Sequence, residues 1–216
     1  MMYSLDQLIV MIPPFLFAIT IHECAHAWMA LRKGDPTARD AGRLTLNPIY
    51  HLDIFGTLML FFVGFGWAKP VPVNPYNLRN PLKDNLWISL AGPASNLLSA
   101  LIFGIIIRFV DLTSIPFYNQ ASISGILVKM LFFSLQLNII LAIFNLLPIP
   151  PLDGSHIIQG LLPRESLGWY YRIERFGPII LMGIIMLGYA TGVHIFSIIF
   201  HPFLSLFSRL FAGIAI

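Results

Sequence analysis

Six apolar runs, at about residues 8–31, 54–67, 86–110, 123–147, 178–191 and 193–211, take up most of the chain and decide what it can fold into. A helix that crosses a bilayer needs roughly 20 mostly apolar residues. Two runs, 54–67 and 178–191, fall short of that; the second can lengthen back to Arg175 or on past Gly192, whereas the first stays doubtful. Of the 216 residues, 57% are hydrophobic and 11% charged, against roughly 45–50% and 25% in a soluble domain. The pattern predicts an all-α polytopic membrane protein with about five to six transmembrane helices and the lipid bilayer as its surroundings. One domain spanning residues 1–216 is expected, with no separate soluble module.

The basic residues read as topology signals. The formal charge of +3 is spread between the apolar runs and forms no single patch, which argues against nucleic acid as a partner. Lys and Arg gather in three connections: Arg32, Lys33, Arg39 and Arg43; Lys69, Arg79 and Lys83; and Arg164, Arg172 and Arg175. If the 54–67 run enters and leaves on one side, all three fall in the cytoplasm, as the positive-inside rule prefers. The expectation is therefore a re-entrant element, with the N-terminus outside and the C-terminal Arg209 inside. The flanks of that element, residues 42–48 and 69–75, alternate polar with apolar residues and Pro with Val, which predicts a small cytoplasmic-side re-entrant β element with an open edge. No basic stretch precedes the first run, so that run is expected to stay in the mature protein. A single cysteine, Cys24, excludes an intrachain disulfide framework and a multi-cysteine zinc site.

Against this apolar background stands His22-Glu23-Cys24-Ala25-His26, an H-E-x-x-H inside the first run. On a helix, positions i and i+4 share a face, so both imidazoles can reach one Zn²⁺ with Glu23 held beside the attacking water. Ionisable groups within a spanning helix are costly and functional by default. The bland alternative is a polar helix end reaching the surface near Arg32. Catalytic zinc usually takes three protein ligands and leaves a fourth position open. Candidates for the third are His51, Asp53, Asp111, Asp153, His156, Glu174, His194 and His201. Asp153 stands out because it follows a stretch in which Pro148, Pro150 and Pro151 break a membrane helix, and broken backbone at membrane depth commonly lines a site.

H-E-x-x-H in one membrane helix, followed by N-x-x-P-x-x-P-L-D-G from Asn145 to Gly154, resembles the site-2 protease family of intramembrane metalloproteases. The likeness extends to Gly92-Pro93-Ala94-Ser95-Asn96, which is similar to the family's G-x-x-x-N element, and to residues 42–48 and 66–75. The resemblance implies an intramembrane protease domain with a catalytic core at about residues 8–162 and C-terminal helices at about 175–212. It implies one Zn²⁺ per chain held by His22, His26 and Asp153, with Glu23 as general base. It also implies a membrane-spanning protein as substrate, cut in regulated intramembrane proteolysis. The minimal bacterial or archaeal form, without a PDZ module, is the nearest type. A prokaryotic plasma membrane, with the site toward the cytoplasm, is the expected location.

Peptide hydrolysis also needs donors for the developing oxyanion. Asn145 and Asn96 are uncharged amides that can donate in a low-dielectric site, and both are assigned to oxyanion or substrate-backbone contact. For each, a hydrogen bond between helices is the competing role, as it is for Asn138 and Gln136. His156, three residues after Asp153, is close enough to support a ligand. His51, His194 and His201 read as interfacial or core residues, Cys24 as packing, and Gly188 and Gly192 as sites of close helix approach. Residues 44–46 and 71–73 offer an edge to which an unwound substrate could add as a strand. Two other functions compete: a membrane transporter that binds metal at a broken helix, and an inactive protease-like scaffold. Cleavage that depends on Glu23 separates both from a protease.

Overall fold

A computed structural model describes residues 5–63, 66–110, 122–192 and 195–214. The first apolar run forms α1 (Leu5–Arg32), with Pro13 and Pro14 inside it. Membrane helices tolerate such prolines because neighbouring groups satisfy the freed carbonyls. The helix stops at Gly34, whose φ of 103° is open to glycine at no cost. Its N–H bonds Leu31 O at 3.1 Å and the Asp35 N–H bonds Ala30 O at 2.9 Å, a closure that satisfies the last carbonyls of α1.

Asp35 then ties this helix end to a distant segment. Its carboxylate is fully buried and accepts from the Asn74 N–H at 2.7 Å, Asn77 Nδ2 at 2.8 Å, the Thr37 N–H at 3.1 Å and Thr37 Oγ1 at 2.5 Å. Burial alone would raise its pKa, but the four donors outweigh burial and hold it below the ordinary carboxylate range. A depressed folded value means stability that is present above the unfolded pKa of about 3.9 and is lost as pH falls through the folded one. Asp35→Ala should therefore cost about 2–4 kcal/mol by stranding buried donors. Denaturation in detergent micelles checks this, and the variant should also lose part of the wild-type acid dependence.

The short run forms α3 (Ile54–Val63), following a brief α2 (Thr37–Asp40). Asp53 starts α3 by accepting the Gly56 N–H at 2.8 Å. Ten residues rise about 15 Å, half of a hydrocarbon core of about 30 Å. Both flanks of the run meet: Leu52 and Ala68 form an antiparallel bridge, and the Lys69 N–H bonds His51 O at 2.9 Å. The predicted β element is reduced to that bridge, and no strand forms among the described residues. Pro70, Pro72 and Pro75 lack the N–H groups a ladder would need. A side chain supplies what the ladder does not: Arg43, 4% exposed, donates to Lys69 O at 2.5 Å and Pro70 O at 2.9 Å.

The framework is completed by α4 (Pro81–Phe109) and α5 (Ile123–Asn145), capped by the Asn80 and Ser122 side chains. Segments Gln7–Arg32, Pro81–Phe109 and Ile123–Asn145 are each long and apolar enough to cross a membrane. After α5 the chain turns through a cis Pro150–Pro151 bond into α6 (Asp153–Leu161), α7 (Arg164–Glu174), α8 (Gly177–Thr191) and α9 (Ile195–Ala212). No long apolar run marks α7, whose aromatic residues lie between two charged ends. Tyr170 of α7 donates to Ser155 O at 2.9 Å, and Gln159 of α6 donates to Glu174 at 2.7 Å.

The core is built from Ala100 and Ile107 of α4, Leu135, Ile139 and Ile143 of α5, and Phe200 and Ala212 of α9. Its order corrects the expected position of Arg209. Phe196 and Phe200 pack on Phe144, near the end of α5. Arg108, in the last turn of α4, donates to Leu210 O and Phe211 O at 2.6 and 2.7 Å. Helix α9 thus runs parallel to α4 and ends beside Arg108. Lys33 marks the opposite end of the bundle, where it pairs with Asp84 at 3.4 Å. Arg209 therefore does not share a face with the three basic connections. The expectation counts the 178–191 run as a full crossing, whereas the chain enters α8 beside Pro150 and begins α9 beside Phe144, both near the end of α5.

Candidate metal centre

The H-E-x-x-H lies on α1 with His22 ten residues before Arg32, or about 15 Å from that helix end. One turn apart, His22 and His26 share a face, their rings edge to face with centroids 4.6 Å apart. Asp153, the first residue of α6, meets them there because the chain doubles back. Gly154 sits so tightly on the end of α5 that a Cβ would lie 2.3 Å from Leu146 O and 2.4 Å from Leu147 O. The two Nε2 atoms are 3.0 Å apart, and Asp153 Oδ2 is 3.2 Å from that of His22 and 3.3 Å from that of His26.

The atoms behind the imidazoles determine what these three present to one another. His22 Nδ1 is 2.6 Å from Asn96 Oδ1, and His26 Nδ1 is 2.7 Å from the Ile88 carbonyl oxygen. Both partners can only accept, so each ring donates its Nδ1–H. In the neutral ring each Nε2 is then a bare lone pair. Two lone pairs and a buried carboxylate oxygen with no hydrogen-bond donor converge on one point, an arrangement that repels itself until a cation occupies it. A tetrahedral Zn²⁺ with bonds of about 2.0–2.1 Å has ligand-to-ligand edges of about 3.3–3.4 Å. The spacing of 3.0–3.3 Å fits that ion, as does the two-imidazole, one-carboxylate donor set. Among the described residues, these three are the His, Cys, Asp or Glu side chains close enough to share a metal.

Helix α4 reaches the imidazoles through Gly92. A Cβ there would stand 2.4 Å from His26 Nε2 and 2.7 Å from His22 Cε1. Gly92→Ala should push at least one ring off the common point and weaken zinc binding by about 10–100-fold, as loss of support behind a ligand does. Chelator competition on the purified variant measures it.

Around the centre lies a cavity of about 870 Å³ lined by His22, Glu23, His26, Asn145, Asp153 and His156, together with residues 66–68, Pro70, Val71 and Val73. Glu23 is 9% exposed and accepts no hydrogen bond from the described residues. Asn145 gives one Nδ2 hydrogen to Leu141 O at 3.0 Å and keeps the other. Asn96 lies elsewhere. It is fully buried, outside the cavity lining, and its Nδ2 donates to Ala18 O at 3.0 Å and Asn138 Oδ1 at 2.9 Å. Both hydrogens are committed, which corrects its assignment to substrate contact.

His156 lines the same cavity but is outside the ligand group, and the remaining candidate ligands among the described residues lie apart from the centre. His51 bonds Thr45 O at 2.8 Å, Asp53 caps α3, Glu174 accepts from Gln159, and His201 is exposed on α9. Asp111 and His194 lie outside the described residues. Cys24 is half-buried and free. Sequence reasoning overlooked the Ile88 carbonyl, the closeness of Gly92 and the clamp by Arg43. Burial pulls the Arg43 guanidinium below its ordinary range, partly offset by the Glu23 carboxylate. A backbone carbonyl leaves no trace in sequence, but Gly92 in an apolar helix is a signal of close approach.

Residues 109–188 match the family model described as Peptidase family M50. The chain is 38% identical over 218 residues to "Putative zinc metalloprotease YwhC" of Bacillus subtilis, covering 94% of this chain and 97% of that protein. It is 29% identical over 164 residues to "Putative zinc metalloprotease Rip2" of Mycolicibacterium smegmatis, 73% of this chain and 59% of the relative. With "Putative zinc metalloprotease MJ0611" of Methanocaldococcus jannaschii it shares 30% identity over 106 residues, 49% of this chain and 50% of the relative. No solved structure matches the chain. An apolar helical bundle, a donor set shaped for zinc and a full-length relative at this identity together establish the conclusion: the chain is a membrane-embedded zinc metalloprotease and belongs to peptidase family M50, the site-2 proteases.

Proposed function

We propose that this protein is an intramembrane endopeptidase that holds one zinc ion per chain with His22, His26 and Asp153 and cuts transmembrane or membrane-proximal segments of protein substrates. The observation that carries the reading is the convergence of two imidazole lone pairs and a carboxylate oxygen, 3.0–3.3 Å apart, with Glu23 free in the same cavity. When bound, zinc polarises the attacking water and the scissile carbonyl. Glu23 accepts a proton from that water as the new C–O bond forms, then passes it to the amine nitrogen as the C–N bond breaks. The free Nδ2–H of Asn145 donates to the carbonyl oxygen as it gains negative charge.

A helical substrate shields its carbonyls, so it must be held extended. Among the described residues, the Val71 and Val73 amides have no hydrogen-bond partner, and both residues line the cavity. Pro70 and Pro72 stop this segment from pairing on its other side, and Arg43 fixes its carbonyls in place of a strand. An unwound substrate can add to the Val71–Val73 edge.

In this reading the whole chain is one protease domain. Helices α1, α4, α5, α8 and α9 embed in the bilayer, and the 54–67 run enters and leaves from one side, a reading supported by the meeting of its flanks. The positive residues around Lys33, Lys69 and Arg164 support a site that opens toward the cytoplasm of a prokaryotic plasma membrane. The test is cleavage of a panel of single-span membrane proteins by the purified chain in detergent, with and without a zinc chelator. Cleavage that chelation abolishes and zinc restores supports the reading. Metal transport in proteoliposomes without any cleavage would replace it with a carrier.

A further inference from the structure

The relay behind His22 extends beyond the metal centre. His22 donates its Nδ1–H to Asn96 Oδ1 at 2.6 Å. The orientation of that amide is itself fixed, because its two hydrogens go to Ala18 O on α1 and Asn138 Oδ1 on α5. Asn138 is fixed in turn by donating to Ser134 O at 2.8 Å. Asn96 and Asn138 are both 0% exposed. Every group in the chain has one direction open to it: the carbonyls only accept, so each amide oxygen must face the next donor. If either amide flipped, an N–H would face an N–H, or two oxygens would meet, at two fully buried residues.

From this network we propose that Asn96 and Asn138 are positioning residues for the metal centre: they lock His22 as the Nδ1–H tautomer and aim its Nε2 lone pair at the point shared with His26 and Asp153. The proposal rests on the zinc-site reading above. It reassigns Asn96 from the substrate to the ligand. It also explains why amides suit these positions, since an amide both accepts and donates, whereas a carboxylate only accepts. His26 needs no such relay, because the Ile88 carbonyl holds it directly.

The experiment compares wild type with Asn96→Leu, Asn96→Asp and Asn138→Leu in two measurements: zinc affinity by chelator competition, and the His22 tautomer in metal-free, nitrogen-15 histidine-labelled protein by NMR. Asn96→Leu is expected to bind zinc about 10–100-fold more weakly and to show mixed His22 tautomers. Asn96→Asp keeps an acceptor for the His22 Nδ1–H but loses the donors that orient it, so its tautomer should stay as in wild type while its thermal midpoint falls. If Asn96 only bridges helices, Asn96→Leu keeps the wild-type His22 tautomer and zinc affinity although its midpoint falls, and the proposal is overturned. Should Asn96→Leu not fold, Asn138→Leu decides, because unchanged tautomer and affinity in it would remove Asn138 from the relay. Failure of the underlying reading looks different: the wild type itself would bind no zinc.

Discussion

Glu23→Gln is expected to retain one zinc per chain and to lose about 10²–10⁴-fold in kcat, the range a positioned general base contributes. Glutamine keeps the size of the side chain and cannot take a proton from water. Among the described residues that line the cavity, Glu23 is the one carboxylate outside the ligand set. Glu23 lines the cavity and accepts no hydrogen bond from the described residues, so its carboxylate is open to that space. It also stands apart from the three converging ligand atoms, which is why metal content should survive the change. Arg43 bonds the Lys69 and Pro70 carbonyls rather than Glu23, so loss of the Glu23 charge should leave the cavity wall in place. Metal analysis beside single-turnover cleavage separates the outcomes. If Glu23→Gln cuts at the wild-type rate, the base lies elsewhere, and His156 in the same cavity becomes the residue to examine. If it loses zinc, Glu23 acts on the ligand shell and its role as base cannot be read from the rate.

How much of this was legible in the sequence depended on the kind of interaction. His22 and His26 were visible because i,i+4 spacing converts directly into a shared face, and Glu23 came with them as part of the same motif. Asp153 could be placed only by way of the broken helix before it and the likeness to a known motif, since 126 residues separate it from His26 by their numbering. Its arrival at the imidazoles depends on the contact of Gly154 with the carbonyls that end α5, which no local pattern announces. Asn96 was recognised as important and given the wrong partner. Residue type told that an amide was needed at that position, but the choice between substrate and His22 depends on which way the amide faces inside a three-helix contact. Proline alternation at residues 69–75 suggested extended backbone. It overstated the sheet, because the same prolines that blunt an edge remove the donors a ladder requires. The misplacement of Arg209 comes from counting the 178–191 run as a full crossing, whereas α9 begins beside Phe144 at the end of α5 and ends beside Arg108.

Asp153→Asn should abolish stoichiometric zinc binding, weakening it by more than the roughly 10–100-fold typical of losing a residue behind a ligand. Asparagine preserves volume and still starts α6, so the contact of Gly154 with the end of α5 can persist. What disappears is the negative charge. Two neutral imidazoles and an amide oxygen remain, and that set offers a dication far less than a set with a carboxylate. Since His22 and His26 are held in place by Asn96 and the Ile88 carbonyl, both on α4, the rings should not move, and the loss can be assigned to the third ligand alone. Wild type should be stabilised by zinc, by about 4 kcal/mol at a thousandfold excess over Kd, and the variant should show no zinc-dependent rise in Tm. Wild-type zinc content in Asp153→Asn would refute the ligand set. Loss of both zinc and fold would not, provided that Glu23→Gln, which leaves the ligands intact, stays folded and loaded; it would then mean that the metal holds α6 against α1 and that the centre is a structural joint as well as a catalytic one.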